Sequence, residues 1–232
     1  MEQLQAVQQV DRYVHERRAT DQIFVGWGVY YFVLTWATFG IYPMIMFYRR
    51  LNRADLFRDR RLHYYTAVID ATRQYAKQEG QHGAAHDDID DLRRFVKERF
   101  QDEHRPIGAG KSLLLGIVIF GIYGMYAVHR LMRFWWQIQL TQQDFDEKLS
   151  PIWTKLGLIR YPVTFEPVPA LNRHFGSHFL LALATLGIYG IVWDYQLHTD
   201  PEKVYPETRA VEDTVLNTLR NAAPAQHPAA TG

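Results

Sequence analysis

Cysteine is absent from this chain of 232 residues. Its absence excludes disulfide bridges, thiolate metal sites and cysteine nucleophiles, and it agrees with a reducing, cytoplasmic environment. Signal-peptide features are absent from residues 1–20, which include acidic side chains and contain neither an apolar core nor a small-residue cleavage site. We therefore expect the N-terminal segment to be retained.

Charged residues are absent from three long stretches, at residues 22–48, 112–128 and 179–193. The averages conceal this, since 47% hydrophobic residues, 22% charged residues and a net charge of +1 would suit ordinary soluble domains. Charge is concentrated between the three stretches. Such segregation is typical of membrane segments joined by polar helices.

The first uncharged stretch is long enough to cross a bilayer, because as a helix it would reach about 40 Å against a hydrocarbon core of about 30 Å. The other two stretches are marginal. Aromatic side chains that suit headgroup depth stand at or near the edges of the stretches: Trp27, Tyr30, Tyr31, Trp36, Trp135, Trp136, Trp193 and Tyr195. The alternative is three buried helices of a soluble bundle, which the length of the first stretch disfavours.

The tripeptide Gly-Ile-Tyr occurs three times, in ATFGIYP at 37–43, in VIFGIYG at 118–124 and in ATLGIYG at 184–190. The similarity extends beyond the motif, since residues 65–73 align with 212–220 without gaps, and residues 10–17 match 92–99 with one residue of slack. Periodicity of this kind predicts a chain built of tandem repeats.

We predict an all-α membrane protein of three tandem repeats, each with a hydrophobic helical segment joined to amphipathic polar helices. Repeat 1 covers 1–81 with a membrane segment at about 22–48, repeat 2 covers 82–160 with a segment at about 112–136, repeat 3 covers 161–221 with a Pro-rich linker and a segment at about 175–197, and a disordered tail covers 222–232. The three prolines of that linker exclude a leading helix from repeat 3. Apolar residues at helical spacing in 53–79 and 89–100 predict polar helices with one apolar face, which either packs on protein or lies on lipid headgroups.

The motif residues are expected to shape each hydrophobic segment. They are Thr38, Gly40, Ile41, Tyr42 and Pro43 in the first copy, Gly121, Ile122 and Tyr123 in the second, and Thr185, Gly187, Ile188 and Tyr189 in the third. The glycine permits a bend or a close backbone approach, Pro43 favours a break, and the threonine hydroxyl can bond to the preceding turn. We predict a kink or turn in each segment, with the tyrosine ring where the chain changes direction.

Two membrane topologies remain open. If each segment crosses once, successive repeats are inverted and the matched helices at 10–17 and 92–99 face opposite compartments. If each segment dips in and returns, all polar helices stay on one side. Basic residues flank both sides of the first two segments, which favours the re-entrant or kinked form: Arg17, Arg18, Arg49, Arg50, Arg105, Lys111, Arg130 and Arg133. Re-entrant arms would, however, penetrate only about 12 to 15 Å.

These residues resemble an uncharacterised bacterial family of integral membrane proteins with a domain of unknown function, in which a leucine-rich run precedes Thr-x-Gly-Ile-Tyr and an aromatic and basic exit. The matching residues are 38–42 and 185–189, followed by Tyr48 with Arg49 and by Trp193 with Tyr195. The second copy departs from the pattern, with Ile119 in place of threonine. The resemblance implies an integral membrane protein and implies no activity.

Two short motifs favour ordinary structural roles over chemistry. GAGKS at 108–112 ends like a phosphate-binding loop, but Arg105 stands where that pattern needs a glycine, so we interpret it as a flexible hinge before the second segment. His82 and His86 have a spacing that binds zinc on a helix, but Gly83 interrupts it. We predict an acidic helix start there rather than a metal site.

Asp194 directly follows the third uncharged stretch, and carboxylates inside membranes often serve ion or proton paths. Its place at the end of the stretch, beside the polar Gln196 and His198, favours interfacial solvation. His129 and His178 lack the paired spacing expected of haem ligands.

The expected function is structural: a scaffold or organiser of the cytoplasmic (inner) membrane, or an accessory subunit of a larger membrane complex, with most polar helices cytoplasmic. Membrane lipids and a homo-oligomer or complex are the expected partners, and nucleic acid is not. Candidate lipid-headgroup contacts are Arg49, Arg50, Arg130 and Arg133. No catalytic residue, cofactor or metal is predicted. The alternative is a small channel or transporter subunit that uses Asp194.

Overall fold

The computed structural model describes residues 2–118 and 122–222, and within these residues the chain is all-helical, as the sequence predicts. The helices are α1 (Glu2–His15), α2 (Arg17–Thr20), a π-helical segment (Val29–Leu34), α3 (Thr35–Ala37), α4 (Ile41–Gln78), α5 (His82–Glu98), a second π-helical segment (Arg99–Glu103), α6 (Ala109–Val118), α7 (Ile122–Lys155), a 3-10 turn (Pro169–Leu171), α8 (Phe175–Ala184) and α9 (Ile188–Ala222). The predicted tail lies outside the described residues, except for Ala222 at the end of α9.

The polar helices α1 and α5 pack their apolar faces on protein. Val10 and Val14 of α1 are buried in the main core, as are Ile89, Leu92 and Val96 of α5. Spacings of three or four residues place these side chains on one face of each helix, and α4 is a neighbour of both helices. The face of α5 that the sequence left open to lipid headgroups is therefore covered by the body of the protein.

Three long helices, α4, α7 and α9, run parallel to one another. Trp153, near the end of α7, donates to Thr72 Oγ1 near the end of α4 at 2.9 Å. Trp193, near the start of α9, lies 3.4 Å from Met132 Sδ near the start of α7. Antiparallel helices would instead join the start of one to the end of the other. The starts of all three helices therefore lie at one end of the bundle.

The first uncharged stretch does not form the single crossing helix that its length suggested. The chain turns at residues 38–40, between α3 and α4, and the polar helix predicted at 53–79 is the second part of α4. The turn lies at the Gly-Ile-Tyr motif, where the sequence predicts a kink or turn. Among residues 2–118 and 122–222, no helix combines the length and the apolar composition that crossing a bilayer requires.

A buried ionic cluster joins α4 to α9. Arg60 donates to Glu212 at 2.7 Å and to Asp21 at 3.1 Å, and Arg61 donates to the same Glu212 oxygen at 2.6 Å. These four side chains are no more than 1% exposed. Buried charges are tolerated only when they are paired, so the cluster fixes how the two helices lie against each other.

Asp146 of α7 lies close enough to this cluster to respond to its charges. The side chain is 2% exposed, and its Oδ2 has no hydrogen-bond partner among the described residues. Burial raises the pKa of its carboxyl to about 8, an effect that Arg61 opposes and Glu212 reinforces. Burial thus favours the protonated carboxylic acid of Asp146 in the folded protein.

We expect Asp146 to make the protein less stable as the pH rises. The contribution of Asp146 to the free energy of unfolding is fully present below its pKa of 3.8 in the unfolded chain. It is lost as the pH rises through the folded pKa of about 8, because between these two values only the unfolded chain releases the proton. Asp146→Asn cannot ionise and should lack this loss, which amounts to about 1.4 kcal/mol per pH unit. Urea unfolding at about pH 5 and about pH 7 measures the difference. Equal pH dependence of variant and wild type would contradict it.

Candidate functional site

The first and third Gly-Ile-Tyr copies lie in turns with the same hydrogen bonds. Thr38 Oγ1 donates to the carbonyl of Leu34 at 2.7 Å and accepts the amide of Tyr42 at 3.0 Å. Thr185 Oγ1 makes the equivalent bonds four residues before and after itself, at 2.8 and 2.9 Å. One hydroxyl thus ends the incoming helix and caps the outgoing one. The bond to the preceding turn was predicted from the sequence, and the cap was not.

The two turns also share an unusual backbone. Phe39 and Gly40 have φ of 50° and 84°, and Leu186 and Gly187 have φ of 51° and 91°. The left-handed region is open to glycine and costs other residues roughly 1 to 2 kcal/mol. A Cβ on either glycine would meet no atom within 4 Å. These glycines therefore serve the turn through their backbone angle, which corrects the prediction of close approach at these positions.

The apex of the second copy, with Gly121, lies outside the described residues. The chain nevertheless enters it along α6 and leaves it along α7, which begins at Ile122. A Cβ on Gly116 of α6 would lie 3.9 Å from Cα of Gly124 of α7. Close approach between two glycines therefore occurs here, between the arms and away from the motif glycine.

The remaining motif residues form the first turns of the outgoing helices. Ile41, Ile122 and Ile188 are the first residues of α4, α7 and α9. Pro43 is the third residue of α4, where its missing amide costs no helical hydrogen bond. The predicted break at Pro43 therefore does not occur. Each motif tyrosine contacts a ring of its incoming or outgoing arm: Tyr42 contacts Tyr30, Tyr123 contacts Tyr126, and Tyr189 contacts His178.

We call the three uncharged segments hairpin 1 (22–48), hairpin 2 (112–128) and hairpin 3 (175–193), because in each the chain reverses and its two arms lie together. In hairpin 3 the Tyr189 hydroxyl lies 3.1 Å from His178 Nδ1 on the opposite arm. In hairpin 1 the rings of Tyr30 and Tyr42 are 5.9 Å apart. In hairpin 2 the two facing glycines bring the arms together.

Large apolar side chains at the ends of the hairpins point outward. Phe39 and Leu186 are 96% and 95% exposed, and Trp36, Ile122 and Ile188 are each more than 70% exposed. Outside the hairpins, the described residues include only three large exposed apolar side chains, namely Leu140, Tyr161 and Tyr195. Since α4, α7 and α9 start at one end of the bundle, these apolar apices form a single apolar end of the molecule.

Asp194 joins hairpin 3 to hairpin 1. Arg50 donates to both of its carboxylate oxygens, at 2.6 and 3.2 Å, and Trp27 Nε1 donates at 2.8 Å. The hydroxyl of Tyr30 lies 3.5 Å away. The carboxylate is thus held by protein donors, which replaces the solvated role predicted for it. No local sequence pattern predicts this contact, because the residues that bind Asp194 are more than a hundred residues away along the chain.

The four candidate headgroup arginines have different surroundings. Arg50 is 5% exposed and paired with Asp194, so its assignment to a lipid headgroup is wrong. Arg49 is half-buried, with its guanidinium 4.8 Å from the ring of Phe24. Arg130 donates to two backbone carbonyls, at 2.9 and 3.1 Å. Arg133 is exposed and makes no hydrogen bond or ion pair with the described residues.

Breaking the ion pair of Asp194 should destabilise the protein. Asp194→Asn leaves Arg50 without a countercharge in a nearly buried site, and we expect a loss of about 1 to 3 kcal/mol in unfolding free energy. The control is Asp213→Asn, also on α9, because the Asp213 carboxylate that pairs with Arg17 is 49% exposed and such pairs contribute about 0 to 1 kcal/mol. Denaturant unfolding in neutral detergent measures both variants. Equal losses would contradict a structural role for Asp194.

The first two backbone amides of the GAGKS segment, and the amide just before it, are already occupied. The carboxylate of Asp55 on α4 accepts the amides of Ile107, Gly108 and Ala109, at 2.6, 2.9 and 3.3 Å. These are the donors that a phosphate-binding loop would offer to its ligand. The segment therefore fastens the start of α6 to α4, and it is held more firmly than the flexible hinge that we predicted.

The histidines singled out in the sequence have different surroundings. His86 lies 3.4 Å from Asp90 in an exposed pair, and the side chain of His82 lies outside the described residues. His129 contacts Phe175, and His178 stacks on Trp193. Among the described residues, no group of three or more histidine or acidic side chains could hold a metal ion.

We compared the chain with protein-family models, with curated proteins and with solved structures, and none of the three comparisons gave a match.

Proposed function

We propose that this chain is a non-enzymatic integral membrane protein that scaffolds or organises the membrane by inserting three tandem helical hairpins into a single leaflet. The observation that carries the proposal is the common end at which the three uncharged hairpins present their apolar apices. Many large exposed apolar side chains at one end of a protein mark a membrane or protein contact site. The re-entrant topology is thus preferred to single crossings, in line with the membrane character that the resemblance implies.

The length of the hairpins suits one leaflet. From Gly40 the first charged residue is Arg49, and from Gly187 it is Asp194. At a rise of about 1.5 Å per residue, these uncharged arms extend roughly 10 to 14 Å, against about 15 Å for half of the hydrocarbon core. Over residues 27–48 and 175–193 the backbone is helical except at the turns. In both turns a threonine hydroxyl accepts an exposed amide, as a lipid environment requires.

Insertion into one leaflet also explains why the polar helices lie together on one side. Arg49, Lys111 and Arg130 follow or precede the hairpins at the depth where anionic headgroups begin, and basic residues are attracted to the cytoplasmic leaflet. We therefore place the helical body on the cytoplasmic side of the cytoplasmic membrane. Hairpins inserted into one leaflet expand its area relative to the other leaflet. This expansion gives a physical basis for shaping the membrane or for recruiting partner subunits, including further copies of the chain.

Single cysteines in this cysteine-free chain test the topology. Gln8→Cys and Gln101→Cys mark exposed positions on α1 and beside α5, and Leu186→Cys marks the apex of hairpin 3. With an impermeant maleimide, we expect the first two to react together in vesicles of one orientation only, and the third to react only after detergent is added. Labelling of Gln8→Cys and Gln101→Cys from opposite sides would overturn the re-entrant proposal in favour of single crossings.

The channel or transporter alternative depends on Asp194, which its ion pair with Arg50 leaves without a free carboxylate oxygen. A scaffold predicts no flux, whereas a conduit predicts ion or proton flux that is lost with the carboxylate. Purified protein in liposomes containing a pH-sensitive dye distinguishes them. Flux in the wild type that disappears in Asp194→Asn, with crosslinked oligomers unchanged, would favour the alternative.

A further inference from the structure

A cavity of about 320 Å³ lies beside the second hairpin, at the junction of α7 with the second π-helical segment and the loop that follows it. Its basic side is formed by Arg105, His129, Arg130 and Arg133. Tyr126, which is 52% exposed, forms part of its wall towards the hairpin apex. The cavity therefore offers both cationic donors and an aromatic surface.

The acidic residues of the cavity are already engaged with other arginines. Glu103 pairs with Arg99, which lies outside the cavity, and Asp102 lies 3.8 Å from Arg105. Arg130 and Arg133 remain without a carboxylate partner among the described residues. The uncompensated charge of the cavity is thus positive, so it favours an anion.

Arg130 is held in place while Arg133 keeps its donors free. The guanidinium of Arg130 donates to the carbonyls of Arg105 and Pro106, at 2.9 and 3.1 Å, and lies 6.0 Å from the centre of the Tyr126 ring. The guanidinium of Arg130, held by the two carbonyls, and the free guanidinium of Arg133 together provide preorganised hydrogen-bond donors. Guanidinium groups bind phosphate oxygens through pairs of charge-assisted hydrogen bonds.

The depth of the cavity identifies the source of the phosphate. Counted from Ile122 at the start of α7, Tyr126 lies about 6 Å, Arg130 about 12 Å and Arg133 about 16 Å along the helix. Half of the hydrocarbon core of a bilayer is about 15 Å thick. When the hairpins are inserted, the two arginines therefore lie near the boundary between hydrocarbon and headgroups, within reach of the lipid phosphates, and the Tyr126 ring lies among the acyl chains.

We propose that this cavity binds the phosphodiester of one glycerophospholipid, with Arg133 and Arg130 facing the phosphate and Tyr126 packing against an acyl chain. The assignment rests on the proposed insertion of the hairpins, which sets the depth. A free phosphate ester has the same anionic group but lacks the apolar part, so it should bind more weakly than the lipid.

Short-chain lipid tests this site without requiring a bilayer. Purified protein in neutral maltoside detergent is titrated calorimetrically with dihexanoylphosphatidylglycerol, inorganic phosphate and glycerol 3-phosphate. We expect one saturable lipid site, at least about tenfold weaker binding of the two free phosphates, and about tenfold weaker lipid binding by Arg133→Gln. Arg160→Gln is the matched control, because Arg160 is also exposed and unpaired among the described residues but lies beyond the far end of α7.

Unchanged lipid affinity in Arg133→Gln would overturn the site. Free phosphates that bind as tightly as the lipid would overturn the lipid assignment and leave a general anion site. The proposed membrane insertion is tested separately by flotation of the wild type with phosphatidylcholine vesicles. Short-chain lipid binding that depends on Arg133 without flotation would contradict the insertion alone, and flotation without that dependence would contradict the cavity alone.

Discussion

Phe39→Asp combined with Leu186→Asp should abolish the association of this protein with phospholipid vesicles. Both side chains are at least 95% exposed at hairpin apices, so an aspartate there removes no packing inside the folded protein. A charged aspartate deep in hydrocarbon costs about 2.5 to 3.5 kcal/mol, and two of them should weaken binding by about a thousandfold or more. Flotation of purified protein with liposomes through a density gradient measures the effect.

The matched control for these apex substitutions is Tyr161→Asp. Tyr161 is 83% exposed but lies outside the hairpins, in the loop after α7, and we expect its variant to float like the wild type. Circular dichroism of all three proteins should show the same helix content. Undiminished flotation of the double variant would mean that the apices do not enter the membrane. An equal loss of flotation in Tyr161→Asp would mean that the added negative charge weakens binding wherever it is placed.

Glu212→Gln should lower the thermal stability of the protein more than Asp194→Asn does. Glu212 is fully buried and accepts hydrogen bonds from Arg60 and Arg61 through one oxygen, so an amide leaves two buried guanidinium groups poorly compensated. Breaking a buried ionic arrangement costs about 3 to 5 kcal/mol. For a chain of this size, we expect the unfolding midpoint to fall by about 10 °C, measured by the loss of helical circular dichroism in neutral detergent.

Glu207→Gln provides the control on the same helix. Glu207 is half-buried and makes no ion pair with the described residues, so its substitution should shift the midpoint by no more than about 1 to 2 °C. Helix propensity is almost the same for glutamate and glutamine, and both variants carry the same change of net charge. A midpoint for Glu212→Gln equal to that of Glu207→Gln would show that the buried cluster contributes little to stability.

The sequence by itself determined the helical class and the positions at which the chain turns. Uncharged stretches and Thr-x-Gly-Ile-Tyr are local features, and the chemistry of the turn is local too: one hydroxyl between two helices and one glycine in the left-handed region. Helical spacing likewise predicted the apolar faces of residues 53–79 in α4 and of α5, and both faces are buried. Length was a poorer guide, because the first stretch could equally be one long helix or two arms, and only the turn at Thr38 and Gly40 distinguishes them.

Tertiary structure alone decided which charged residues hold the molecule together. Arg50, counted from the sequence among headgroup contacts, pairs with Asp194, and Asp55 secures the amides that begin α6. Glu212 carried no signal in the sequence at all. Electrostatic pairing depends on distances in space between residues far apart in the chain, and a burial that makes such pairs strong is created only when the helices pack. Local hydrogen bonds can be inferred from residues that are neighbours in the sequence, whereas these long-range pairs could not be inferred from it.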